Sequence, residues 1–146
     1  MLVDVDVEVL NEVTSEVTQA FGRLLPQLSP NAPPLDAATL AAIVSAPAST
    51  MLIARADGRI VGTTTLIINR IPTGIRAWIE DVVVDESARG RGVGEALTRE
   101  ALRIAGQAGA RTVDLTTRPS REAAGRLYER VGFARRDSRL YRYTLS

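Results

Sequence analysis

The sequence predicts a mixed α/β domain: an antiparallel sheet with one central parallel pair, in the order β-α-α-β-β-β-α-β-α-β-β. Three observations predict it. Residues 2–9 alternate apolar and acidic side chains, the period of a strand with one wet face. An Asp57-Gly58 pair sits between two β-rich runs, the dipeptide of a tight hairpin. A hydrophobic run at 75–84 reaches a second at 112–117 through a helical stretch, so those two strands should lie parallel. The repeated βαβ units of a doubly wound sheet are missing.

Each element follows in order. After the first strand, Asn11 can cap a helix whose apolar positions Val13, Val17, Phe21 and Leu24 keep helical spacing. Pro26 should end it soon after. Asp36 can cap a shorter helix with Leu40, Ile43 and Val44 inward, closed by Pro47. Residues 51–55 and 59–68 form the hairpin, and a turn at Pro72-Thr73-Gly74 opens a longer strand over 75–84. A helix from Gly92 or Val93 to about Ala108 buries Val93, Leu97, Ala101, Ile104 and Ala108, with Gly109 as its terminator. After the strand at 112–117, Ser120 can cap a last helix carrying Ala124, Leu127, Tyr128 and Val131, stopped by Gly132. Residues 133–136 and 141–145 read as a closing hairpin. A chain of 146 residues favours a single domain over 1–146.

Composition narrows the chemistry. There is no cysteine and no histidine, so thiolate and imidazole nucleophiles, bases and metal ligands are excluded, and no metal is expected. All 18 basic residues are arginine, which removes Schiff-base chemistry and a P-loop lysine. Arginine binds anions but releases no proton near neutrality, leaving Asp, Glu, Tyr or the N-terminal amine for acid–base work. A net charge of +1 gives no field for nucleic acid. No apolar run nears membrane-spanning length, and the acidic start does not read as a signal peptide. A soluble, cytoplasmic chain is expected. The Arg-only, Ala-rich usage fits a GC-rich bacterial genome.

The most informative stretch is 82–95. A β-rich run stops at Asp85, and the turn Arg89-Gly90-Arg91-Gly92-Val93-Gly94 leads into a helix at Glu95. Such a turn presents main-chain N–H groups at a helix N-terminus, a site for phosphate or pyrophosphate. A P-loop fails for want of lysine. A dinucleotide fingerprint fails too: the sixth position is Glu95 counted from Gly90 and Leu97 counted from Gly92. Three glycines in five residues weaken a helix start unless something approaches the backbone closely.

Arg89-x-x-Gly92-x-Gly94 resembles the Q/R-x-x-G-x-G/A signature of the GNAT superfamily of N-acetyltransferases. Val82-Val83-Val84-Asp85 is similar to the end of that family's fourth strand. Residues 124–133, AGRLYERVGF, are similar to its A-x-x-L-Y-x-x-x-G-F segment. The predicted element order matches the GNAT fold throughout.

The resemblance implies acetyl-CoA as cosubstrate, with its pyrophosphate over the N–H groups of Arg89, Gly90, Arg91, Gly92, Val93, Gly94 and Glu95. Arg89 and Arg91 can add charge, though Arg91 reads equally as a solvated surface side chain. The pantetheine arm would pair with the edge of the fourth strand at Val82, Val83 and Val84, where strands four and five splay apart. Tyr128 would protonate the leaving thiolate, its phenol being neutral at pH 7. Its competing reading is a half-buried helix tyrosine with its hydroxyl in water. The base stays open between Glu80, Asp81 and water. Glu80 shares parity with Val82 and Val84 and is the first choice; a sheet carboxylate paired with an arginine is the alternative. A lysine-like amine costs about 4.6 kcal/mol to deprotonate at pH 7, an α-amine about 1.4. The family's asparagine seven residues before the tyrosine is here Arg121, which could instead reach the cofactor.

The expected activity is direct acetyl transfer to a primary amine of a small molecule or peptide. The alternative is a non-catalytic acyl-CoA-binding or sensor module. By resemblance, segments 21–40 and 134–140 shape the acceptor pocket. Apart from Asp36 and Asp137 they hold few acids, and Arg135, Arg136 and Arg139 suit a carboxylate-bearing amine. Edge strands at the C-terminus would suit a homodimer.

Overall fold

In the computed structural model, residues 4–146 are described, so Leu2 and Val3 of the predicted first strand lie outside them. The chain divides into two units, Met1–Thr116 and Thr117–Ser146.

The first unit is a five-stranded sheet in the order β1-β2-β3-β4-β5, made of Val5–Val9, Ser49–Ala56, Arg59–Ile71, Gly74–Val84 and Thr112–Asp114. The first four are antiparallel, and β5 joins β4 in parallel. The β2–β3 hairpin turns at Asp57 (φ 55°) and Gly58 (φ 75°), both left-handed as a tight two-residue turn requires. Helices α1 (Ser15–Leu28) and α2 (Ala37–Ser45) bury Phe21, Leu24 and Leu40 against Met51, Ile53 and Val83. Helix α3 (Val93–Gln107) covers the other face. A Cβ on Gly62, the neighbour of Thr63, would meet Val93 Cγ1 at 2.9 Å and Leu97 Cδ1 at 3.1 Å. The start of α3 is thus pressed onto β3, with buried Leu97, Ala101 and Ala105 continuing the contact face; Ile104 and Ala108, expected inside, are only partly covered.

Several boundaries differ from the sequence reading. The first helix begins at Ser15, capped by the Thr14 hydroxyl, which accepts from Val17 N at 3.3 Å; Asn11 is not the cap. The chain is still held to the sheet at Leu10, whose N–H donates to Met51 O at 2.8 Å. Pro26 lies inside α1, which ends two residues later at Leu28. Asp36 caps α2 as expected, accepting from Thr39 N at 2.8 Å. β5 stops at Asp114, short of Thr117.

The second unit contains α4 (Glu122–Val131), closed by Gly132. Ser120 is not its cap: Arg121 N donates to Arg118 O, which places Ser120 within a turn, and Arg121 takes the cap position without a side-chain bond. The expected closing hairpin is not formed. Residues 133–146 contain no strand, and Leu140, Tyr141, Tyr143 and Leu145 are 67–92% exposed. Their sequence has strand character, but an isolated hairpin without a face to bury is marginal in water. The edge strands that suggested a homodimer are absent with it.

Candidate active site

The site is built on β4, the turn after it and the start of α3. β4 carries one residue too many for its neighbour. Thr65 lies opposite Glu80 and Thr63 opposite Val83, so two steps on β3 match three on β4. Asp81 absorbs the surplus in the left-handed region, φ 54°, a conformation uncommon for any residue but glycine. The buried Thr64 hydroxyl donates to Glu80 O at 2.9 Å and pins the bulge from the adjacent strand. The bulge overturns the parity expected from the sequence. Through its register Glu80 shares a face with Val83, which packs among α1 and α2, rather than with Val82 and Val84. Glu80 is exposed there, and its carboxylate has no arginine partner among the described residues.

The pairing of β4 with β5 ends before this bulge. The parallel pairing joins only Arg76, Ala77 and Trp78 to Thr112, Val113 and Asp114. Over residues 79–84 the outer edge of β4 has no strand partner among the described residues. Val83 is buried, and Val82 and Val84 are partly so. Because β5 ends at Asp114, main-chain donors and acceptors remain along a strand edge of β4, the kind of edge an extended ligand can join.

At the end of β4 a short 3-10 turn, Glu86–Ala88, is capped by Asp85. This aspartate is 5% exposed, and its Oδ1 accepts from Ser87 N at 3.0 Å and from Ser87 Oγ at 2.9 Å. The Ser87 backbone N–H holds the carboxyl below the usual aspartate range; burial opposes it, and the Ser87 hydroxyl, Arg59 and Arg23 reinforce it. The Arg59 guanidinium is 3.8 Å from Oδ2.

The loop then passes through Gly90 (φ 78°) and Gly92 (φ 80°). A side chain at either would be strained by the backbone, although a Cβ at either meets nothing within 4 Å. The space over the loop is open. Gly92 is the N-cap of α3, and no side chain caps the first turn. Main-chain N–H groups at Val93 and Gly94 therefore face a helix N-terminus with its partial positive charge. Arg89 is exposed with no ion-pair partner among the described residues, whereas Arg91 Nη2 bonds Asp57 Oδ2 at 2.8 Å. Of the two arginines of this loop assigned to the cofactor, Arg89 has no ion-pair partner among the described residues and Arg91 is held by the β2–β3 turn. Glu95 lies in the first turn of α3, and Arg99 Nε reaches it at 3.1 Å.

In the second unit, Tyr128 is half-buried on α4 and its ring meets Phe133 edge-on, with centroids 5.7 Å apart. Burial pushes its phenol above the ordinary tyrosine value, and the Arg121 guanidinium partly opposes this. Tyr128 is thus a protonated donor at neutral pH. Arg135, Arg136, Asp137, Ser138 and Arg139 follow one another along an exposed segment of the same unit. Among the described residues no three Asp or Glu side chains gather as a metal site, and no helix is long and apolar enough to cross a membrane.

Sequence reasoning located the turn, its glycines and the helix that carries Tyr128. It missed Asp85 as a buried cap, the Thr64 hydroxyl and the bulge at Asp81. The Thr63-Thr64-Thr65 run was a usable signal, since hydroxyls inside a sheet need partners.

Comparison with known proteins agrees with this architecture. The model of the Acetyltransferase (GNAT) family matches residues 13–133. A glucosamine 6-phosphate N-acetyltransferase from Trypanosoma brucei brucei is 35% identical over 141 residues, covering 90% of each chain. Among solved structures, a putative acetyltransferase from Agrobacterium tumefaciens superposes with a TM-score of 0.82 at 28% identity, covering 95% of this chain and 99% of that one. An acetyltransferase from Trypanosoma brucei gives 0.78 at 32% identity, covering 97% and 100%. The unpaired end of β4, the glycine turn and these matches lead to one statement: this chain is an enzyme of the GNAT family of acetyltransferases.

Proposed function

We propose that the chain transfers the acetyl group of acetyl-CoA to the primary amine of a small, anion-bearing acceptor. The observation that carries this reading is the continuity of the unpaired β4 edge, residues 79–84, with the open left-handed turn at Gly90 and Gly92. An extended pantetheine arm suits the edge, and a diphosphate suits the amides of residues 90–95. Each charge-assisted hydrogen bond there contributes on the order of 1.5–3 kcal/mol. Bound acetyl-CoA supplies an activated thioester; the rest of the chemistry belongs to the protein. Glu80, exposed on the acceptor-side face of β4, takes the amine's proton directly or through water, with Asp81 as the other carboxylate on the bulge. As the amine nitrogen bonds the carbonyl carbon and the C–S bond breaks, Tyr128 gives its phenolic proton to the sulfur. Arg89 adds charge at the diphosphate, and Arg121 adds charge beside Tyr128. The absence of cysteine fits direct transfer without an acyl-enzyme.

The acceptor class follows from charge. Residues 117–146 hold eight arginines against three acids, and Arg135, Arg136 and Arg139 stand on one exposed segment. A polycationic amine would be repelled there, and a phosphate or carboxylate attracted. The relative that acts on glucosamine 6-phosphate makes a phosphorylated amino sugar the first acceptor to try. The test is thiol release from acetyl-CoA with glucosamine 6-phosphate, glucosamine, amino acids and a polyamine. The reading expects the phosphorylated amine to lead, followed by carboxylate-bearing amines. A polyamine as the best acceptor would overturn the acceptor class, and no thiol release with any amine would favour a non-catalytic acyl-CoA module.

A further inference from the structure

The main-chain donors of the cofactor turn can be followed one by one. Asp85 N donates to Val61 O at 2.7 Å, Ala88 N to Asp85 O at 2.8 Å and Arg89 N to Glu86 O at 3.5 Å. Ser87 N donates to the Asp85 carboxylate at 3.0 Å. These four acceptors lie in β3 or in the turn itself. The fifth amide, Glu86 N, is different: it donates at 2.9 Å to Oε1 of Gln27, 59 residues earlier on α1. Gln27 is itself oriented, because its Nε2 donates to Arg23 O at 3.1 Å one helical turn back. Arg23 in turn reaches across to β3, donating from Nη2 to Ile60 O at 3.0 Å, and its charge contributes to holding Asp85 ionised. α1 therefore holds β3 and the first amide of the turn, and the amide-rich loop follows after these fixed residues.

We infer that Gln27 is a positioning residue for coenzyme A binding: its side-chain carbonyl fixes the first amide of the 3-10 turn and so aims the N–H groups of residues 90–95. The inference rests on the cofactor reading above. It predicts that a helix on the other side of the turn sets cofactor affinity without touching the cofactor.

Two substitutions test it together. Gln27→Met keeps the length of the side chain and removes the acceptor. Glu86→Pro removes the donor, and the site tolerates it: Asp85 before it is extended (φ −52°, ψ 134°), as a residue preceding proline must be, and proline is favoured at the first position of a helical turn. Calorimetry with coenzyme A should show Gln27→Met weakening affinity about threefold to tenfold, the reach of one hydrogen bond. In the Glu86→Pro background the same change should cost less than about twofold, since its partner is already gone. In the ligand-free protein, exchange of the Glu86 amide with solvent should be faster in Gln27→Met, while the melting temperature changes little. Equal losses in both backgrounds would overturn the inference, as would no loss in a Gln27→Met protein beside a wild type that binds. A wild type that does not bind coenzyme A would instead overturn the cofactor reading beneath it, and Gln27 would remain only the acceptor that the exchange measurement detects.

Discussion

The turn between β4 and α3 and the segment after α4 are built on opposite principles. From Asp85 to Arg89 each main-chain N–H has an acceptor, Asp85 is 5% exposed and caps the turn, Gln27 holds it, and Gly90 and Gly92 give it a backbone that other residues enter only with strain. Residues 133–146 contain no strand, and Tyr141, Tyr143 and Leu145 are 87–92% exposed. What that segment offers is charge: Arg135, Arg136, Arg139 and Arg142 against Asp137 alone. Under the proposed function the contrast assigns coenzyme A to fixed backbone geometry, and the acceptor to side-chain charge on a less constrained scaffold. The first should be intolerant of substitution at single residues and the second graded.

The largest effect should come from Tyr128→Phe, which removes the donor without altering the ring contact with Phe133. General acid catalysis is worth on the order of 10²-fold or more, so kcat should fall by at least that factor while the dissociation constant for coenzyme A holds. Because burial raises the phenol, wild-type kcat should persist above the ordinary tyrosine value near pH 10 and fall only beyond it. A pH profile of kcat checks the direction: an alkaline limb below pH 10 would contradict it.

Gly92→Val forces a β-branched residue into φ 80°. Such strain costs about 1–3 kcal/mol, so coenzyme A affinity should drop roughly tenfold or more, read by calorimetry. By contrast, changing Arg135, Arg136 or Arg139 singly to Gln should raise KM for a phosphorylated acceptor only a few-fold and leave kcat nearly unchanged, with the three changes roughly additive. A single arginine whose loss abolishes activity would erase the distinction between the two regions.

A smaller effect belongs to Asp85. Its folded-state pKa is lowered, so its contribution to stability is present above the unfolded value near 3.9 and lost as pH falls through the lower folded value. Asp85→Asn should therefore lower the melting temperature at pH 7 and narrow the gap to wild type as the solution is acidified below pH 4. The smallest effect is expected from Asp57→Asn. This frees Arg91 from an exposed ion pair worth about 0.2–1 kcal/mol and should tighten coenzyme A binding by about twofold at low salt.

How much was legible depended on whether the signal was local. Asp57-Gly58 announced a hairpin because the two left-handed residues it needs are adjacent in sequence. Gly90 and Gly92 announced the left-handed turn at the head of α3 for the same reason, and the place of Tyr128 on α4 was read from the residues around it. The bulge at Asp81 was not legible, because it exists only as a mismatch between Thr63–Thr65 and Glu80–Val83 on two strands. Strict alternation through 80–84 therefore put Glu80 on the face of the wrong valines. Gln27 was invisible for a related reason, since its partner lies 59 residues away and nothing in the helix marks it. The closing hairpin was misread in the other direction: 141–145 alternates like a strand, but alternation states only what a segment would bury given a surface to bury it on.

The central claim is that the main-chain amides of residues 90–95 receive the diphosphate of coenzyme A. Titrating labelled protein with coenzyme A and following the backbone amide signals tests it most directly. The account predicts that the Gly90, Gly92 and Gly94 signals shift together and saturate at one equivalent, with the signals of residues 79–84 following as the arm joins β4. Binding that leaves those three glycine signals in place, or no saturable shift anywhere in the protein, would contradict it.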